Sequence, residues 1–194
     1  MCVLVSKGEI YAGVYAKILG GKMDAALEEV RGITSLITNE AVADIRNTGR
    51  LLEQLLLRQR DPNHRIPESD FSIHHGGKTY LWLACRRPGS MQMTFAEKMG
   101  LKVACVHDAG ANSAIASLLG ASAQSGHFKV NALIGASRLA ADDVWTWSDG
   151  EAWGYKSWKA HNEDRKGFAY IRNDGKWEVH HPDWGTTVVF EIAD

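Results

Sequence analysis

The sequence predicts an α+β protein, and three observations carry that expectation. First, composition changes along the chain: all seven tryptophans follow residue 80, while the first 60 residues lack proline and are rich in Ala, Leu, Ile, Glu and Arg, a helix-forming composition. Second, apolar residues in that first part recur at steps of three and four, the period of a helix with one apolar stripe. Third, beyond residue 70, runs rich in β-formers lie near both ends and enclose two helical stretches, an order that favours α+β over alternating βαβ units.

The elements follow in order. Gly20 and Gly21 separate a short helix, about Gly8 to Leu19, from a longer one. The stripe of the longer one runs through Met23, Leu27, Val30, Ile33, Ile37, Ala41, Ile45, Leu52 and Leu55 or Leu56. Thr38 or Asn39 is placed to cap a break in it. Asn47, Thr48 and Gly49 interrupt a strict heptad, so the stripe either packs on the C-terminal domain or meets copies of itself, with a homotrimer as the oligomer to test. Residues 1–60 thus read as a helical segment for oligomerisation or docking. Residues 61–69, with Pro62 and Pro67, read as a linker, and residues 70–194 as one domain. Within that domain Lys78–Cys85 alternates as a strand, Met91–Met99 is helical, and Lys102–His107 is a short apolar run. Ala109–Leu119 is a second helix, Val130–Ala136 a buried strand, and the remainder short strands, turns and aromatics.

Composition excludes several function classes. A net charge of −1 and a pI near 6.7 give no excess of cations for nonspecific nucleic-acid binding or for an anionic membrane surface. No segment has the roughly 18 apolar residues of a membrane span. Three cysteines, Cys2, Cys85 and Cys105, form no disulfide framework. The N-terminus lacks the basic and apolar regions of a secretory signal, so the expected location is the cytoplasm, a virion, or outside the cell by a non-classical route. Gly20-Gly21-Lys22 is followed by Met23 and lacks the spacing of a phosphate loop. Cys85 and Cys105 lie in apolar runs, where thiols are usually buried and inert. His161, His180 and His181 are read as polar loop residues, because adjacent histidines on an extended chain point to opposite faces. No cofactor, metal or catalytic residue is expected, and the chain is read as a binding protein and not an enzyme.

The most specific signal lies in a series of motifs. Ala132-Leu-Ile-Gly-Ala-Ser-Arg138 is followed by Val144-Trp-Thr-Trp-Ser-Asp-Gly150, then Tyr155 and Trp158, Gly167-Phe-Ala-Tyr-Ile171, Asp174-Gly-Lys-Trp177 and Val188-Val-Phe-Glu-Ile192. In order and spacing this series resembles the C-type-lectin-like domain, with its WIGL core strand, W-x-W-x-DG turn and closing strand. Ala96–Val106 and Ala111–Leu119 resemble the end of that family's first helix with the strand after it, and its second helix. The resemblance implies a C-type-lectin-like domain preceded by an N-terminal helical segment, similar to those of phage receptor-binding proteins and bacterial variable proteins.

The departures from the family pattern shape the functional expectation. Ala96 and the neighbourhood of Phe168 stand where the family has cysteines. The loop Lys159–Lys166 is short and lacks the proline tripeptide of the sugar-binding calcium site, and Glu178 and Val179 follow Trp177 in place of Asn and Asp. Calcium needs six to eight oxygens, and Val179 supplies no side-chain oxygen. The resemblance therefore implies calcium-independent binding of a protein or glycan. Trp145, Trp147, Trp158 and Trp177 match family core positions. The ligand-binding candidates are the loop residues Glu151, Trp153, Tyr155, His161, Asn162, Glu163, Asp164, Glu178, His180, Asp183 and Trp184. Trp153 and Trp184 match no core position and stand in polar stretches, where tryptophan is often a contact hot spot. An intracellular adaptor or delivered effector that uses its helices as the partner surface remains open, as does an enzyme built on His161, His180 or His181.

Overall fold

The computed structural model describes residues 39–124, 131–139, 144–160 and 163–193. The expected helix about Gly8 to Leu19 and the first half of the long helix lie outside these residues. The chain divides into two compact units between Ile66 and Pro67.

In the first unit, helix α1 (Asn39–Arg60) runs uninterrupted through Asn47, Thr48 and Gly49. Leu51, Leu52 and Leu55 are buried and Leu57 is exposed, the one-sided pattern its apolar spacing demands. Arg58 and Arg60 occupy the last turn, where cations meet the negative end of the helix dipole. The chain then folds back: the Asp61 N–H donates to Leu57 O at 2.8 Å, Arg58 Nη1 to His64 O at 3.2 Å, and the His64 ring lies 2.8 Å from Gln54 Oε1. Residues 61–66 of the expected linker thus belong to this unit.

The second unit is an α+β domain built on one sheet. Its elements are β1 (Ser72–His75), β2 (Lys78–Pro88), α2 (Gly89–Met99), β3 (Lys102–Val103), α3 (Ala109–Gln124), β4 (Asn131–Arg138), β5 (Thr146–Trp147), β6 (Gly167–Arg172), β7 (Trp177–His180) and β8 (Gly185–Ala193). The sheet order is β1-β2-β8-β4-β6-β7, with β3 paired to β8 and β5 to β4. First and last long strands pair antiparallel, from Lys78 against Ala193 to Pro88 against Gly185, so the two ends of the domain close on each other. β4 is the hub: it pairs parallel with β8 and antiparallel with β5 and β6.

Local chemistry sets the element ends. α2 stops at Gly100, whose φ of 65° is left-handed; the N–H of Leu101 reaches back to Ala96 O at 2.9 Å and closes the helix. α3 starts after Asp108, whose carboxylate accepts the Ala111 N–H at 2.8 Å, an N-cap. The core on this helix's side of the sheet gathers Trp82, Ile115, Leu119, Ile134, Trp145, Trp147, Ile171, Trp177 and Val179.

Candidate functional site

β7 sorts the candidate residues by face. Strand alternation turns Trp177 and Val179 into the core and Glu178 and His180 to the other side.

On the core side, the segment between β5 and β6 has little regular structure, and aromatic packing holds it in place. Trp145, Trp147 and Trp177 are buried, and Trp158 packs partly buried against them with ring centroids 4.6 Å from Trp145 and 5.4 Å from Trp177. Two backbone bonds fix the segment to β7: the Trp177 N–H donates to Ser157 O at 2.8 Å and the Lys159 N–H to Trp177 O at 2.9 Å. Trp153, expected on an exposed loop, is half-buried, stacks on Trp145 at 5.8 Å and packs at a tilt against Trp147 at 4.9 Å. Tyr155 stands edge-on to Trp177 at 5.8 Å. Glu163 holds the far end: its carbonyl accepts from Trp145 Nε1 and Arg138 Nη1, and its carboxylate pairs with Lys156 at 2.7 Å. Glu151 and Asp164 are exposed. His161 and Asn162 lie outside the described residues.

On the opposite side, Glu178 is held by two cations, Lys159 Nζ at 2.9 Å and Arg172 Nη1 at 2.8 Å, both on the same carboxylate oxygen. Burial alone would raise its pKa, but these hydrogen bonds outweigh it and hold the carboxyl down at about 2. His180 stands between Tyr170 and Trp184, with ring centroids 5.1 and 3.4 Å away, and burial lowers its pKa. Trp184 is 45% exposed. Asp183 is also exposed, 3.5 Å from His181.

No family model matches the chain, and no curated protein matches it in sequence. Solved structures do. Human lithostathine aligns over 69% of this chain and 95% of its own, at 21% identity and a TM-score of 0.57. Ovocleidin-17 of the Gallus gallus eggshell aligns over 66% and 100%, at 23% identity and 0.56. The Ca2+-independent C-type lectin SPL-2 from Saxidomus purpuratus aligns over 62% and 90%, at 20% identity and 0.53. The fold is C-type-lectin-like. In this lectin-like domain the one described cysteine side chain, Cys105, is a free thiol, and among the described residues no helix is long and apolar enough to cross a membrane.

The lectin-like domain also assembles a cluster that sequence reasoning did not find. Cys105, His107 and Asp149 present donor atoms within 4.8 Å of one another. His107 Nε2 lies 2.8 Å from Asp149 Oδ2 and 3.5 Å from Glu151 Oε2. Burial pushes the Cys105 thiol up to about 12, against a hydrogen bond with Ser148. Burial also works against the Asp149 carboxylate, yet hydrogen bonds from His107 and the Glu151 N–H hold it below its ordinary value. The only signal in the sequence was the Cys-x-His spacing, which puts both side chains on one face of an extended segment; Asp149 is 42 positions further along than His107.

Proposed function

We propose that the lectin-like domain is a recognition module that binds a protein or glycan without calcium, and that the N-terminal helices tether or oligomerise it. The observation that carries this reading is the pairing of Glu178 with Lys159 and Arg172. A cation seated after Trp177 would have to displace two positive groups already bound there, and Val179 is buried in the core. Two of the similar solved structures, SPL-2 and a type II antifreeze protein, are themselves calcium-independent, which supports the same reading here. The ligand surface is built from the segment between β5 and β6, about Trp147 to Lys166, and from Glu178 to Thr187, where Trp184 offers an exposed indole. Exposed aromatic anchors of this kind dominate binding energy at recognition surfaces. The role is binding, with no catalysis assigned.

A glycan array run on the full chain with and without a calcium chelator tests the reading. Binding that is unchanged by the chelator supports it, and binding abolished by the chelator overturns it. Size-exclusion chromatography with light scattering on the full chain tests the helices: a monomer removes oligomerisation and leaves tethering.

A further inference from the structure

We propose that Cys105, His107 and Asp149 hold a zinc ion, with Glu151 closing the fourth position. Asp149 and Glu151 lie at the start of the segment that the recognition surface uses, but the ion site does not rest on the function proposed above.

The donor set comes first. Thiolate, imidazole and carboxylate are zinc ligands, and a thiolate selects zinc over calcium or magnesium. Zinc–sulfur bonds of about 2.3 Å and zinc–nitrogen or zinc–oxygen bonds of about 2.0 Å set tetrahedral donors about 3.5 Å apart. Here the three donor atoms already lie within 4.8 Å, and Glu151 Oε2 is 3.5 Å from His107 Nε2. Small side-chain rotations close the remaining gap, and the metal replaces the present hydrogen bond between His107 and Asp149.

The surroundings hold the ligands in place. The Cys105 N–H donates to the buried Glu191 Oε2 at 3.1 Å, and its Sγ sits 3.4 Å from Ser148 Oγ. Gly135 makes the room: a Cβ there would meet Cys105 Sγ at 2.7 Å and Ser148 Oγ at 2.6 Å. The His107 ring rests against Trp147, centroids 5.1 Å apart. The Glu151 N–H donates to Asp149 Oδ1 at 3.0 Å and leaves Oδ2 toward the histidine. Such outer bonds orient metal ligands. Solvent reaches the site from one rim, since the Glu151 side chain is 67% exposed while that of Asp149 is 10% exposed.

The local charge suits a divalent cation. Asp149 and Glu151 face the site, and Glu191 stands behind Cys105, paired to Lys78 at 2.9 Å. Asp108 and His75, 4.0 Å apart, flank the histidine's side. Binding replaces the Cys105 S–H bond with a zinc–sulfur bond and releases the proton to solvent. The ion would then fasten the chain after β3 to the turn after β5, where the segment bearing Trp153 begins, a cross-link in a domain whose described thiol is unbridged.

The test uses the full-length chain, stripped with chelator and titrated with cobalt(II), then zinc. One equivalent of cobalt should bind with a sulfur-to-metal charge-transfer band in the near ultraviolet, and zinc but not calcium should bleach it. Cys105→Ser should abolish the band, and His107→Gln and Asp149→Asn should each weaken cobalt binding at least about tenfold. Absence of the band in the native chain overturns the proposal, as does its persistence in Cys105→Ser, which would place the metal on Cys2 or Cys85. If circular dichroism shows Cys105→Ser unfolded, the partly exposed His107→Gln decides: unchanged affinity refutes the site.

Discussion

The indole Nε1–H of Trp177 donates to Asn112 Oδ1 at 2.8 Å, while Asn112 Nδ2 donates to Gly175 O at 3.1 Å. One buried amide thus ties helix α3 to the turn that leads into β7, and it pairs with two buried polar groups. Asn112→Ala strands both. An unsatisfied buried donor or acceptor costs about 1–3 kcal/mol, so the variant should lose about 3 kcal/mol. Urea unfolding followed by tryptophan fluorescence measures it, and a loss below about 1 kcal/mol would show that the amide is not structural.

Gly167 opens β6 with a φ of +146°, and a Cβ there would collide with the His180 carbonyl oxygen of the paired strand. Backbone cannot yield as a flexible side chain does. Gly167→Ala therefore combines a strained conformation with a backbone clash, and about 3 kcal/mol or more of destabilisation is expected. Gly185, with open space around its Cβ position, serves as the control: Gly185→Ala should change the urea midpoint little.

The parts of the fold that were legible in the sequence are those with a local period. The Lys78–Cys85 alternation is the start of β2, Met91–Met99 is α2, Ala109–Leu119 is most of α3, and Val130–Ala136 overlaps β4. β1 escaped because Ser72–His75 is short and half polar, although Gly76 and Gly77, both at positive φ, spell a tight hairpin turn. The site was harder to read for a different reason. Trp153 joins the tryptophan cluster from a segment with no repeat, Lys159 reaches Glu178 from 19 positions away, and Asp149 meets His107 from 42. Contacts of that kind exist only once the sheet has formed.

Stability should carry an acid limb from Glu178. Its carboxyl is held at about 2 when folded by Lys159 and Arg172, below its ordinary value. The unfolded chain therefore binds the proton more readily, and its contribution to stability, complete above the unfolded pKa, is lost as pH falls toward 2. Glu178→Gln should flatten this part of the curve, so native and variant stabilities converge as pH drops from about 5 to 2. Thermal midpoints across that range provide the measurement, and parallel curves would mean the ion pairs contribute nothing.

Two tryptophans that looked alike in sequence should separate by experiment. Trp153 packs against Trp145 and Trp147 from a half-buried position, whereas Trp184 is 45% exposed and touches His180 and Tyr170. Trp153→Ala should cost about 2 kcal/mol, less than a fully buried ring because part of its surface already meets water. Trp184→Ala should cost less than about 1.5 kcal/mol, the scale of its ring contacts. Its larger effect should fall on recognition: a contact worth about 1.4 kcal/mol is tenfold in affinity, and an exposed indole at the ligand surface reaches that scale. Binding to the best array ligand, measured by titration calorimetry, should weaken about tenfold in Trp184→Ala while its unfolding midpoint stays close to native. Equal loss of stability and binding in both variants would mean that Trp184 supports the fold and that recognition lies elsewhere on the domain.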